Sequence, residues 1–218
     1  KRLFCNDLLR LEIIENGINK DGENFSRYFE GRYIVPYDKG GESSSGNGWL
    51  PNYYVPTNYF IDWSEASVTR MKNLTLEGKN LFYGKKGGND KLTSRFQNKE
   101  FYFKSGLTFS RTGAYAPSFR INSNSVFDTE GSTLYLTHLE NKSVLGILSS
   151  KFLKYMLKNY IGHTVHCQTE ELKESMIFES ETKICSLVDE IIKKQKENPN
   201  YEYFKYEQLE IDRLVYEA

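Results

Sequence analysis

FYFKSGLTFSRTGAYAPSFRINSNSVFDTEGSTLY, residues 101–135, sets the class of this fold. Aromatic and β-branched residues come in short runs, FYFK, LTFS, SFRI and STLYL. Ser-Gly, Gly-Ala-Tyr-Ala-Pro, Asn-Ser-Asn and Glu-Gly separate them, residues that suit turns through permissive or pre-set φ. The spacing predicts three or four short strands. Lys104, Arg111 and Arg120 are spread along the same stretch. A strand-rich surface carrying spaced cations reads as a binding face, and no catalytic motif accompanies it.

Upstream, Phe25 to Trp63 is rich in Tyr, Gly, Pro, Asn and Ser, and the runs GRYIVPY and NYFIDW read as strands. GGESSSGNGW between them is a flexible loop by composition. Residues 3–15 fit a strand or a helix equally well. Ser64 is placed to cap a short helix through EASVTRMKNL, with Ala66, Met71 and Leu74 on its apolar face. GKKGGNDK, residues 84–91, is a second loop and lacks the GxxxxGK[ST] pattern of a phosphate-binding loop.

Downstream, the pattern changes at about Asn141. VLGILSSKFLKYMLKNY repeats apolar residues at helical spacing and stops at Gly162. A second helix, ETKICSLVDEIIKKQKEN, is expected to start from a Ser180 cap, bury Ile184, Leu187, Val188, Ile191 and Ile192, and stop at Pro199. A third, from about Tyr206, is expected to turn Leu209, Leu214 and Val215 inward. The expectation is an α+β fold, a strand-rich body over 1–140 followed by a helical part over 141–218 that packs on it.

The chain has 218 residues and a formal net charge of +0, which argues against an indiscriminate polyanion binder. The charge is uneven. Residues 20–120 hold fifteen Lys or Arg against ten Asp or Glu, whereas 168–218 hold seven against thirteen. A basic front and an acidic tail suggest that one half meets a polyanion. Three scattered cysteines suit a reducing cytoplasm better than a disulfide scaffold. The first residues, KRLFCNDLLRLEI, do not read as a signal peptide, and no apolar run in the given sequence approaches membrane length. The chain opens on Lys1 rather than Met, and it is expected to be a piece of a longer protein.

Three constellations resemble chemical sites and fail on their surroundings. GHTVHC offers His163, His166 and Cys167, but no second cluster supplies further ligands at zinc-like spacing. Asn198-Pro199-Asn200-Tyr201 approaches the Asn-Pro-Pro-Tyr of amino-group methyltransferases, yet it follows an amphipathic helix and reads as a helix stop. Glu171-Leu172-Lys173 matches half of a metal-dependent nuclease signature, without the converging carboxylates that magnesium needs. No catalytic residue and no metal site is assigned.

Arginine can pair bidentately with guanine edges or phosphate, and lysine supplies a point charge. Arg27, Arg32, Lys39, Arg70, Lys72, Lys85, Lys86, Lys104, Arg111 and Arg120 lie on or beside loops and strand ends, with Ser110, Thr112, Ser118 and Asn122 as neutral donors. Arg120 sits between Phe119 and Ile121, so alternation allows either a surface or a buried, sheet-bridging arginine.

Two stretches carry a family resemblance. Pro36-Tyr37-Asp38-Lys39-Gly40-Gly41-Glu42 is one, although Trp49 arrives later than that family places its tryptophan. Tyr102-Phe103-Lys104-x-Gly106-Leu107-Thr108, then Arg120, Phe127-Asp128 and Gly131-Ser132, is the other. In order and spacing they resemble the target-recognition region of adenine-specific DNA methyltransferases of type IIG restriction-modification and BREX-type phage-exclusion systems. The closing LEIDRLVYEA is similar to the ending of such enzymes. The resemblance implies a cytoplasmic DNA-recognition module that positions an adenine for a catalytic domain outside this chain. That domain would bind S-adenosylmethionine, with magnesium as a further cofactor of a parent that also cuts DNA. This chain would hold no cofactor, cross no membrane, and have duplex DNA and the parent's catalytic domain as partners.

Lys39, Lys104, Ser110, Arg111 and Arg120 are the expected DNA contacts. Gly40, Gly41, Gly106 and Gly131 are expected to shape turns near them. On this view Arg111→Ala and Arg120→Ala weaken DNA binding and leave the fold intact. A carbohydrate- or peptide-binding module using the Tyr/Trp-rich surface, and a self-contained metal-dependent nuclease, are the rival readings.

Overall fold

The computed structural model describes residues 13, 15, 17–21, 25–29, 31–40, 50–57, 59–94, 96–111, 117–127, 131–162, 167–175, 177 and 182–218. The expectations for residues 3–12, the 41–49 loop, Gly41, Thr112, His163, His166 and Ser180 lie outside the described residues. The fold is α+β, with two sheets and a helical C-terminal part.

The first sheet is built on β2 (Arg32–Asp38). It pairs antiparallel with β1 (Arg27–Phe29) and β3 (Phe60–Asp62), and its last two residues pair parallel with β6 (Val126–Phe127). Ile34, Val35, Pro36 and Tyr37 of β2 are all buried, so this strand is covered on both faces. The second sheet has the order β5 (Phe119–Asn122), β4 (Gly106–Ser110), β7 (Gly131–Leu134), all antiparallel. Tyr53 extends it at the β5 edge: its N–H donates to the Phe119 carbonyl and its carbonyl accepts from the Ile121 N–H.

Alternation splits the second sheet into two unlike faces. Leu107 and Phe109, with Phe119 across from Phe109, join the main core. That core continues into α3 (Asn141–Ser149), α4 (Lys151–Met156), α6 (Thr182–Glu197) and α7 (Glu207–Glu217) through Val144, Leu148, Leu153, Val188, Ile191, Ile211 and Val215. One apolar cluster therefore spans both sides of residue 140, and each fully buried Leu or Ile contributes roughly 1.5–3 kcal/mol. The opposite face is polar and equally buried: Thr108, Ser110, Ser118, Arg120 and Asn122 are each less than a tenth exposed.

Several elements depart from the sequence pattern. FYFK is not a strand: Lys99–Phe101 is a 3-10 turn and Phe103 is left-handed at φ 64°. The adjacent rings of Tyr102 and Phe103 both meet Trp63, and Phe101 stacks on Tyr135, whereas an alternating strand would turn Tyr102 and Phe103 to opposite faces. The long helix predicted over Val144–Tyr160 is broken at Ser150, whose backbone is extended. Ser150 Oγ donates to the Ile147 carbonyl and accepts from the Leu153 N–H, capping α4 in mid-run. The run then closes through a π-helical turn, Leu157–Ile161, with Gly162 beyond it. On α7, Leu209 is half exposed and Ile211 takes the inward position, because Ile211 and Val215 share one helix face.

Candidate nucleic-acid interface

Asp38 ends β2, and Gly40 follows at φ 71°, a left-handed position that suits glycine. The Asp38 carboxylate closes this turn by accepting the Gly40 N–H at 3.0 Å. A Cβ on Gly131 would lie 3.0 Å from the Asp38 carbonyl oxygen, so β7 is packed against the same turn. Gly106 likewise runs hard against the Leu134 carbonyl within the second sheet. Gly40 thus serves a turn, while Gly106 and Gly131 serve close approach.

Arg120 crosses from the polar face of the second sheet to this turn. It donates to Asp38 Oδ1 at 2.9 Å and to Ser110 Oγ at 3.1 Å, and it is 1 % exposed. Ser110 is also held by Ser118 at 3.2 Å. Of the two possibilities that alternation allowed for Arg120, the structure has the sheet-bridging arginine. Neither Ser110 nor Arg120 reaches the surface, so neither is placed to touch DNA, and Arg120→Ala breaks a buried pair. Burial pushes the Asp38 carboxyl up, and the Arg120 and Lys20 charges with the Gly40 N–H outweigh it, leaving the group below its ordinary value.

Lys39 is half-buried and lies over the Tyr59 ring at 5.0 Å. It shares with Lys20, Asp38, Arg120 and Asn122 the lining of a pocket of about 40 Å³. That space admits roughly three water-sized groups, and it does not fit a nucleoside cofactor such as S-adenosylmethionine. Among the described residues no group of three His, Cys, Asp or Glu is placed to hold a metal.

The other two cations stand apart. Lys104 is exposed, over the Phe101 ring at 5.4 Å. Arg111 is half-buried, donates to Gln168 Oε1 at 3.2 Å, and accepts the Cys167 N–H on its carbonyl. They flank opposite ends of β4, a five-residue strand roughly 17 Å long. Lys104 and Arg111 therefore do not form one cluster with each other.

Among the described residues, the largest exposed basic segment is an arm inserted after β3. It comprises α1 (Glu65–Asn73), α2 (Leu76–Phe82) and the return through residue 92. Leu76 and Glu77 N–H groups donate to the Lys91 and Asn89 carbonyls, and Thr93 N–H donates to the Leu74 carbonyl, so the GKKGGNDK loop is tied to the helices. Arg70, Lys72, Lys79, Lys85, Lys86 and Lys91 are all exposed. Glu65, Glu77 and Asp90 are the acidic residues beside them. Among the described residues, none of the six cations forms an ion pair. Leu81 and Phe82, 77 % and 78 % exposed, project from the same arm.

The contrast with the C-terminal helices is sharp. There Lys142 pairs with Asp189, Lys183 with Glu210, Lys194 with Glu190 and Glu207, and Arg213 with Glu210 and Glu217. Aromatic contacts frame the arm's base: Trp63 meets Phe96, Tyr102 and Phe103, and Lys72 lies over Phe96 at 5.6 Å. That frame links the arm to the turn that presents Lys104. Arg70, Lys72, Lys85 and Lys86 were legible as basic loop residues. Lys79, Lys91 and the exposed Leu81–Tyr83 run were missed, because a seven-residue helix leaves too short a pattern to read.

Two of the three apparent chemical motifs have a plain structural role. Glu171 accepts the Gln168 N–H at 2.9 Å and holds the start of α5 (Thr169–Lys173). Asn198 accepts the Tyr201 N–H in the turn that follows α6. Burial, with Glu171 nearby, pushes the Cys167 thiol up to about 12. Among the described residues no helix is long and apolar enough to cross a membrane. No protein-family model matches the chain, and no curated protein matches it.

Proposed function

We propose that this chain is the DNA target-recognition region of an adenine-specific DNA methyltransferase of the restriction-modification or phage-exclusion type. Its DNA contacts are the basic arm and the neighbouring Lys104, with Lys39 as a separate contact. The observation that carries the nucleic-acid reading is the unpaired charge of the arm. Among the described residues, six exposed cations there form no ion pair, whereas most charges of the acidic helices neutralise one another. Unpaired surface cations are what a phosphate backbone recruits, and their counterion release gives affinity without sequence preference. The exposed Leu81 and Phe82 add an apolar tip of the kind that DNA-bending proteins insert between base steps.

The family reading rests on the ordered resemblance at residues 36–42 and 102–132. Under it, methyl transfer and S-adenosylmethionine belong to a catalytic domain outside this chain, and the present residues choose the site. The test is a salt titration of duplex binding for the chain and for its Lys85→Ala/Lys86→Ala variant. The dependence of log affinity on log salt is expected to lose about one unit of slope per lysine that contacts phosphate. An unchanged slope removes the arm from the interface.

A further inference from the structure

Asn122 is 1 % exposed, and its Nδ2 has no hydrogen-bond partner. Its Oδ1 accepts the Ser125 hydroxyl at 2.6 Å, which leaves the amide N–H as the edge without an acceptor. The side chain lines the pocket it shares with Lys20, Asp38, Lys39, Tyr59 and Arg120. A buried donor with no acceptor is rare in native proteins and calls for an explanation, such as a bound water or ion.

The charges around the pocket point the same way. Among the residues that line the pocket, Lys20, Lys39 and Arg120 stand with one carboxylate, Asp38, while the Asp21 charge acts on Lys20 from outside the lining. Asp38 Oδ1 already accepts from Arg120 and from the Gly40 N–H. Lys20 is 5 % exposed, so its ammonium is largely withdrawn from water. The apolar part of the lining, Pro36 and Val55 among it, lowers the local dielectric and strengthens any charge pairing inside. The volume of about 40 Å³ suits one compact oxygen-rich group.

We propose that this pocket is a binding site for a single phosphate-type oxyanion, with Asn122 Nδ2 and the Lys20 ammonium as its donors and Lys39 as a further cation. Burial, partly offset by Asp38, lowers Lys20 below its ordinary value, and a bound anion reverses that shift. The anion is either free phosphate or a phosphate of a DNA backbone. The site stands on its own geometry, whether or not the chain reads DNA.

The test uses the full chain, Lys20→Met and Asn122→Asp, with thermal unfolding followed in inorganic phosphate and in chloride of equal ionic strength. Saturable protection of the parent chain by phosphate is expected, weaker by about tenfold in Lys20→Met. It is expected to vanish in Asn122→Asp, which sets a second carboxylate against the anion. The variants separate site binding from the general stabilising action of phosphate, which acts on all three alike. Competition between phosphate and a duplex would identify the anion as a DNA phosphate, and simultaneous binding would identify it as free; both support an oxyanion site. Equal protection of the parent chain and Asn122→Asp, or none beyond chloride, would overturn the proposal and leave a buried water only. Duplex binding that persists in that event leaves the DNA reading in place.

Discussion

Replacing Arg120 by Met is the sharpest probe of how this fold is held. The guanidinium spans the two sheets, with Asp38 at 2.9 Å on one side and Ser110 at 3.1 Å on the other. Methionine keeps much of the volume and removes the charge, so the dominant loss is the pairing of a buried carboxylate. Breaking such a pair costs about 3–5 kcal/mol. Lys20 still faces Asp38 in the variant, which places the expectation at about 3 kcal/mol. For a domain of this kind that is a large share of the 5–15 kcal/mol typical of folded chains. The pH dependence carries a definite sign. In the parent chain Asp38 lies below its ordinary value of 3.8, so its contribution is full above that pH and lost as pH falls through the lowered value. Without Arg120, burial dominates and the carboxyl is expected to rise, so the variant's deficit shrinks on acidification. Urea unfolding, followed by tryptophan fluorescence at about pH 7 and about pH 5, reads both effects. Adding Asp38→Asn to Arg120→Met is expected to recover about 2 kcal/mol, since the unpaired charge is then gone. A cost below about 1 kcal/mol, unchanged by pH and by Asp38→Asn, would refute the buried-pair account.

Gly146 of α3 lies where a Cβ would come within 2.4 Å of Ile184 Cγ2 and 3.2 Å of Val188 Cγ2 on α6. Gly146→Ala is therefore expected to destabilise by about 1–2 kcal/mol despite the helix propensity of alanine, and a stabilised variant in chemical unfolding would contradict this helix crossing. Burial, followed by Glu171 for Cys167 and by Glu140 for Cys185, raises the two thiols to about 12 and about 11 from 9.0. Alkylation at mild alkaline pH, mapped by mass spectrometry, is expected to be slower than for an unstructured thiol by about a thousandfold at Cys167 and about a hundredfold at Cys185; rates close to the unstructured thiol would show that these environments open readily.

The main strands were legible because their signal is local. RYIVPYD, LTFS and FRIN alternate or run apolar between turn residues, and each forms a strand. The two long C-terminal helices were legible through their apolar spacing, with Ile184, Val188 and Ile191 of α6 all buried. The break at Ser150 was not, because its cause is a side-chain hydrogen bond within an otherwise periodic run. The FYFK turn was not, because three ring contacts from distant residues override its alternation. At the candidate interface, residue type located the cations without ranking them. Lys104 and Arg120 look alike in sequence, yet one is exposed and the other spans two sheets to reach Asp38, 82 residues away in the chain. That difference is tertiary, and so is the meeting of Lys20 with Asn122 in one pocket.

The most direct measurement on the central claim is selection of the purified chain against random DNA duplexes at about 50 and 200 mM salt, followed by sequencing of the retained pool. The span covers the range where phosphate-driven binding falls steeply. A target-recognition region is expected to bind with strong salt dependence and to enrich a short asymmetric motif containing adenine. Binding that ignores salt and enriches no motif would contradict the account.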